Sequence, residues 1–358
     1  MSSILKVDTL QDVNGNAIIS SDGSGNLTPN TFTGLTISGN LSVDGGTIKL
    51  DGNYPTGSEN VVLGDQALDS GSLSGNSNTA LGNKTLTGNT SGAENTGIGA
   101  AALELNTTGT RNVGVGRFSG YSNLTGNNNT SIGSFSLQNN TVSNLTAVGY
   151  QALKNNTTGT DNDAFGLQAL ASNTTGFANT AVGRAALDAN TTGNSSVAVG
   201  LNALGSQTTA NSNNALGHDA LRSVTTGARN TGIGRNSGYS ITSGYDNQAI
   251  GYGALSSVTT GALNVAIGTN ALENNTASFN TALGYQSSYT NTTGTENVSV
   301  GLNSLYSNST GSNNTAIGKD SLYSNTASNN TAVGYKALED NTSGTNNVAL
   351  GYLSLSSN

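Results

Sequence analysis

The sequence has no cysteine, no tryptophan, one histidine and two prolines among 358 residues, and only 9% of it is charged. Without cysteine there is no disulfide, no thiolate nucleophile and no Cys-bearing zinc or iron-sulfur centre, and the single His218 excludes a multi-histidine metal site. Bulky apolar residues are scarce too. At 34% hydrophobic and 5% aromatic, the chain cannot fill the thick core that a protein of this length ordinarily builds. Its polarity does not come from charge, so repulsion-driven disorder is not the explanation. A net charge of −8 with few cations lacks the dense Lys and Arg surface on which nucleic-acid affinity depends, so nucleic acid is not an expected partner. No apolar run reaches the length of a signal-peptide core or a membrane span. This predicts a soluble chain that starts at Met1 and does not insert into a membrane.

What is abundant is Asn, Thr, Ser and Gly, the last numbering 49, and from about Asn60 they form a repeat. The unit reads N-T-A-V-G-Y-x-A-L, then N-T-T-G-T and a few polar residues. NTALGNKTL from Asn78, NTAVGRAAL from Asn179, NVAIGTNAL from Asn264 and NTAVGYKAL from Asn330 are clear copies. The central glycine recurs 18 times, from Gly64 through Gly183, Gly268 and Gly334 to Gly351, at spacings of 17 residues with single-residue departures. Three spacings, after Gly133, Gly268 and Gly318, are 16. Ordinary units carry a second glycine ten residues past the central one, such as Gly176 and Gly193, whereas the short units end that phrase in Ser143, Ser278 or Ser328. The pattern predicts a positive-φ glycine in a polar turn, replaceable by Ser when a deletion changes the turn type.

A unit this short cannot hold a helix pair, and its β-branched, small and turn-forming residues suit strands and corners. The fold expected is all-β, a parallel β-solenoid of 18 coils rising about 4.8 Å each, which makes a rod roughly 85 Å long. Two apolar columns run along it: the residue before each central glycine, from Leu63 to Leu350, and the Leu four residues after it, such as Leu68, Leu187 and Leu338. Both are expected to face a narrow interior. The residue two before the glycine is small, as in Ala80, Ala198, Gly232 and Ala266. Alternation would then turn this strip outward, where it permits close approach of another chain. The asparagine four before the glycine, including Asn179, Asn264 and Asn330, is expected to hydrogen-bond along the rod, with Leu145 and Ser196 as interruptions.

Through NTAVG and NVAIG, these units resemble the head repeats of YadA-like trimeric adhesins, and closely similar repeats occur in fibre proteins of tailed bacteriophages. The resemblance spans Asn60 to Leu355 and implies a left-handed β-roll packed as a homotrimer. Ahead of it, Pro29, Pro55 and TFTGLTISGNLSVDGGTIKLDG give short alternating strands broken by Gly-Asn and Gly-Gly, which resemble the β-prism neck of phage fibres. The opening MSSILKVDTLQDVNGNAI is similar to N-termini of marine-phage structural proteins that dock on the virion. The organisation implied is a virion-attachment segment at 1–30, a β-prism-like neck at 31–56 and a YadA-like roll at 57–358. The implied function is a non-enzymatic phage fibre located in the virion and needing no cofactor. Its partners would be further copies of itself, a tail, baseplate or capsid protein at the N-terminus, and a host-surface glycan or protein. A bacterial trimeric surface adhesin and an ice-binding β-solenoid are alternative uses of such a scaffold.

Candidate sites follow from what such a rod could carry. Depolymerising enzymes need two acids roughly 5 to 10 Å apart, for which Asp161 with Asp163 and Glu339 with Asp340 are the candidates. No Trp or basic residue stands near the first pair to build a sugar cleft, so catalysis is not expected. Glu94 and Arg111, like Arg229 and Asp246, sit one coil apart and predict exposed ion pairs. The G-x-G phrases at Gly114 and Gly232 are followed by no helix and are repeat glycines. Adjacent corner threonines are expected to point different ways, against a flat ice-binding array, and His218 is expected at the surface. Tyrosines crowd the last units. Tyr285, Tyr335 and Tyr352, each directly after a central glycine, are expected to stack, and with Tyr306 and Tyr323 they are the candidate receptor-binding residues.

Overall fold

The computed structural model describes residues 9–11, 17–21, 27–29 and 58–357. The chain forms two compact units, Met1–Lys49 and Leu50–Asn358. In the first, β1 (Thr9–Gln11), β2 (Ala17–Ser21) and β3 (Leu27–Pro29) make an antiparallel sheet with β2 in the middle. Pro29 ends an edge strand, where its missing N–H is tolerated. The expected neck at 31–56 lies outside the described residues, as does most of the attachment segment at 1–30.

In the second unit, eighteen three-residue strands from β4 (Val61–Leu63) to β21 (Val348–Leu350) pair in chain order, parallel and in register. Equivalent residues align, so that Thr180, Ala181 and Val182 pair with Val197, Ala198 and Val199. Each step advances one strand spacing, which leaves β4 and β21 roughly 80 Å apart. The ladder is therefore an open stack and not a closed barrel, with one strand per coil and no helix among the described residues. This is the parallel β-solenoid that the repeat predicts.

The backbone after each strand explains the fixed glycine. The central glycines take φ from +119° to +146°, a region closed to residues with a Cβ, and at Gly183 an added Cβ would also strike the carbonyl of Gly200 in the next coil. Beyond the glycine, the second and fourth residues are left-handed, as at Lys84 (φ 57°) and Leu86 (φ 54°). The alternation turns successive N–H groups toward opposite neighbours: Lys84 donates to the Asp65 carbonyl one coil back (2.9 Å) and Leu86 to that of Ala102 one coil on (3.0 Å). A left-handed Leu is strained by roughly 1–2 kcal/mol. Burial of that Leu column, full from Leu68 to Leu338 and lost only at the terminal Leu355, offsets the strain.

The interior is thin, and its phase is opposite to the one expected. Leu68, Leu187 and Leu338 are buried as predicted, but facing them is the small column, with Ala80, Ala198 and Ala266 at 0% exposure. A Cβ added at Gly114 would meet Leu103, and one at Gly232 would meet Leu221. The bulky column before the glycine points outward instead: Leu216 is 52% exposed, Ile233 39% and Leu283 45%. Volume is the reason. The space between strand and turn holds one layer of Leu, and a second bulky layer opposite it would overpack the coil.

The N-T-T-G corner also differs from expectation. Gly176 and Gly193 do not have positive φ. Glycine is needed there for close approach, because a Cβ at Gly176 would fall on the carbonyl oxygen of Gly193 and on Oδ1 of Asn173. In the short coils this place is taken by Val142, Ala277 and Ala327, whose carbonyls accept from Nδ2 of Asn140, Asn275 and Asn325 at 2.8, 2.9 and 2.8 Å. Gly176 accepts from Asn173 in the same way at 2.9 Å. Ser143, Ser278 and Ser328 stand one position later, and their hydroxyls accept the N–H of Asn127, Ala262 and Ser312 in the preceding coil at 2.9, 3.0 and 3.0 Å. The residue lost is one of the two threonines, so the corner absorbs the deletion and the core is untouched.

Candidate functional site

Asparagine builds two internal ladders, which fixes its role as structural. Asn264 Nδ2 donates to Asn247 Oδ1 (3.0 Å) and the Ala277 carbonyl (2.9 Å), while its Oδ1 accepts the Asn280 N–H (3.0 Å). Asn179 donates to Asn162 Oδ1 (3.1 Å) and the Gly193 carbonyl (2.9 Å). Asn330 donates to the Gly344 carbonyl (2.8 Å) and accepts the Asn347 N–H (2.9 Å). The second ladder, not anticipated, runs through the Asn that opens N-T-T-G: Asn190 donates to Asn173 (2.8 Å) and Asn173 to Asn156 (2.7 Å). Its signal was the same 17-residue recurrence; buried Gln207 continues it by donating to Asn190 Oδ1 (3.3 Å), and buried Val224, Ile241 and Val258 interrupt it.

The strand face is the first candidate surface. It turns two columns outward, the bulky residue before the glycine and a Thr- and Val-rich position two residues earlier, as in Val265 and Ile267. In all 18 units the bulky residue is Val, Ile, Leu or Phe. The result is an unbroken apolar stripe on the outside of the roll, a feature that marks contact surfaces on soluble chains. The outward strand pair is thus mostly Thr-x-Val or a relative of it. At the corner, the Thr174 hydroxyl donates to the Thr191 carbonyl (3.0 Å) whereas Thr175 is exposed, so adjacent threonines do point different ways.

The tyrosines fall on the turn face that follows the glycine, in two separate columns. Tyr289, Tyr306 and Tyr323, five residues past their glycines, stack with centroids 5.3 and 5.1 Å apart and planes within 10°. Tyr335 and Tyr352, directly after theirs, stack at 5.3 Å. Tyr285 shares that position, but Leu302 and Lys319 intervene before Tyr335, so the predicted stack holds for the last two only. Stacking along the rod covers the ring faces of the middle tyrosine and leaves edges and hydroxyls outward. Burial raises the Tyr306 pKa, and Tyr323, Tyr289, Tyr285 and Glu273 raise it further, which keeps the phenol neutral. Glu273 precedes Tyr289 in the same column. Its Oε2 is buried without a partner, and burial raises its carboxyl pKa.

A further cluster on this face was not assembled from the sequence. Phe118 stacks on Phe135 (5.6 Å) and meets Tyr121 edge-on (5.2 Å), and Tyr150 meets Phe135 edge-on (6.0 Å). Arg117 lies over Phe118 and Phe135, and Lys154 over Phe135. These residues are spread over three units, and only the coil register brings them together.

The remaining candidates are simpler. Asp161 and Asp163 are exposed, while Glu339 is tied to Lys336 (2.7 Å) with Asp340 exposed beside it. The inter-coil pairs form as expected, Arg111 with Glu94 at 3.0 Å and Arg229 with Asp246 at 2.7 Å, and the Arg229 contact holds the Asp246 carboxyl below its usual pKa. His218 is exposed, 3.2 Å from Asp219. Among the described residues no group of three or more His, Asp or Glu could hold a metal ion, and no helix is long and apolar enough to cross a membrane. No protein-family model, curated protein or solved structure matches the chain.

Proposed function

We propose that this chain is the subunit of a homotrimeric, non-enzymatic phage fibre, a left-handed β-roll that carries weak adhesive contacts away from the virion. The observation that carries the reading is the outward aliphatic column. A partner that covers it over roughly 80 Å must itself repeat at the coil spacing, and another copy of the chain in parallel register does so. Closed packing of identical stripes around one axis yields a cyclic oligomer rather than an open aggregate. Inter-coil backbone bonds and the asparagine ladders suit the rod to mechanical reach. The phage setting is supported by the resemblance of the repeats and of residues 1–56 to fibre proteins. In this reading residues 1–30 dock on a tail, baseplate or capsid protein and 31–56 form the β-prism-like neck. Tyr285, Tyr306, Tyr323, Tyr335 and Tyr352 contact a host-surface glycan or protein, through hydroxyls and ring edges where the faces are stacked. Several fibres of three chains turn weak contacts into durable adsorption through effective concentration. Native mass spectrometry of the full chain should give a trimer, and immunogold labelling should place it on phage particles that encode it. A monomer, or particles without label, would overturn the proposal.

A further inference from the structure

We propose that Arg117, Phe118, Tyr121, Phe135, Tyr150 and Lys154 form a binding site for an acidic saccharide. The site is made by register. Arg117 directly follows Gly116, Phe135 is two past Gly133, and Tyr150 and Lys154 are one and five past Gly149, so three stacked coils bring different turn positions to one patch. Arg117 Cζ is 4.6 Å from the Phe118 centroid and 5.7 Å from that of Phe135, and Lys154 Nζ is 5.8 Å from Phe135. Two cations therefore stand beside one ring. Among the described residues neither is within ion-pair distance of a carboxylate, whereas Arg111, Arg229, Lys319 and Lys336 all are. In a chain of net charge −8, adjacent unneutralised cations on an aromatic surface reverse the local field. Tyr150 is 46% exposed and Phe118, Phe135 and Tyr121 are half-buried, which leaves a firm apolar surface beside the two charges.

The ligand class follows from what both parts of the patch require. A wholly apolar partner would strip water from Arg117 and Lys154 and leave them unpaired. A long polyanion would meet the acidic remainder of the chain, including exposed Asp161 and Asp163. A sugar acid satisfies both demands: its C–H face rests on Tyr150 and Phe135, its carboxylate or phosphate meets Arg117 or Lys154, and its hydroxyls reach the phenols of Tyr121 and Tyr150. The inference concerns the turn face and does not depend on the chain being a virion component.

The test is calorimetry and saturation-transfer NMR on the full chain with trigalacturonate, a sugar phosphate, neutral galactotriose and a Glu-rich peptide. At least one acidic sugar should bind and the neutral one should not. Arg117→Ala and Lys154→Ala should each weaken binding about tenfold, the loss of one charge-assisted contact. Phe135→Leu should weaken it with the charge unchanged, and Tyr150→Ala serves if that variant loses its β circular dichroism. Arg184→Ala removes a charge at the same coil position, between Leu167 and Leu201, and should change nothing. Four results would each sink the proposal: no binding of either acidic sugar, equal binding of galactotriose, an equal loss on Arg184→Ala, or tighter binding of the peptide.

Discussion

A buried asparagine in this roll is a three-way connector, which makes its loss more costly than that of a surface amide. In Asn264→Ala the Asn280 N–H loses its acceptor inside the coil, while the Ala277 carbonyl loses one of two donors and keeps Asn275 Nδ2. An orphaned buried N–H of this kind puts the cost at roughly 1–3 kcal/mol, read from denaturant unfolding, whereas exposed Asn214→Ala should stay within about 0.5 kcal/mol. Glu273 acts in the opposite sense. Burial raises its carboxyl pKa above the usual 4.5, so the folded chain binds that proton more tightly than the unfolded chain. The associated stability is present below pH 4.5 and is lost as pH rises through the folded-state pKa. Glu273→Gln should therefore melt higher than the parent at neutral pH and converge with it in acid. A difference that does not depend on pH would show that the carboxylate is solvated.

The coil is the element, and its corner and its core respond to different substitutions. Gly176→Val should cost about 2 kcal/mol or more through the clash with Gly193 and Asn173. Replacing the whole corner Asn173 to Phe177 by the short phrase Asn-Thr-Val-Ser, which stands naturally from Asn140 to Ser143, should restore the melting temperature. If the short corner is as damaging as the single Val, the deletion does not lie where the hydrogen bonds of Val142 and Ser143 place it. Period, strand position and the first asparagine ladder were legible because each repeats at one fixed offset from a glycine whose φ no other residue tolerates. Phase was not legible. Alternation says that Ala198 and Val199 face opposite ways without saying which faces in, and that choice belongs to the volume of the Leu layer across the coil. The aromatic cluster was hidden for a related reason: its members are neighbours only after stacking. The core is also uneven. Its apolar clusters break between Leu103 and Leu137, where Ser119, Gly120 and Ser131 stand, and between Ala282 and Leu305, where the Ser287 and Ser288 hydroxyls bond to Ser299 Oγ at 2.6 and 2.8 Å. Amide exchange should be faster across both seams than between Ala147 and Leu272, and uniform protection would contradict this account.

At the scale of the whole molecule, the reversed phase relocates the surface through which copies would meet. The Ala and Gly strip lies inside each coil, so Ala198→Glu should damage the fold of a single chain by burying a charge, whatever the oligomeric state. The association surface we propose is then the column containing Val182 and Ile233, at 38% and 39% exposure. Covering such partly exposed side chains contributes about 0.5–1 kcal/mol each, and repetition along the 18 coils brings the sum to the size needed to offset the roughly 4–15 kcal/mol that association costs. Val182→Glu combined with Ile233→Glu places carboxylates in that column without entering the core. Native mass spectrometry and sedimentation should then show trimer converted to monomer or weakened by at least tenfold, about 1.4 kcal/mol. Circular dichroism should keep the β signal and melting cooperativity of the roll. Ala198→Glu should give the inverse pattern, a lowered melting temperature that protein concentration does not rescue. If the double variant remains trimeric while Ala198→Glu dissociates without unfolding, the small-residue strip is the interface after all and the inward phase of the strands is wrong.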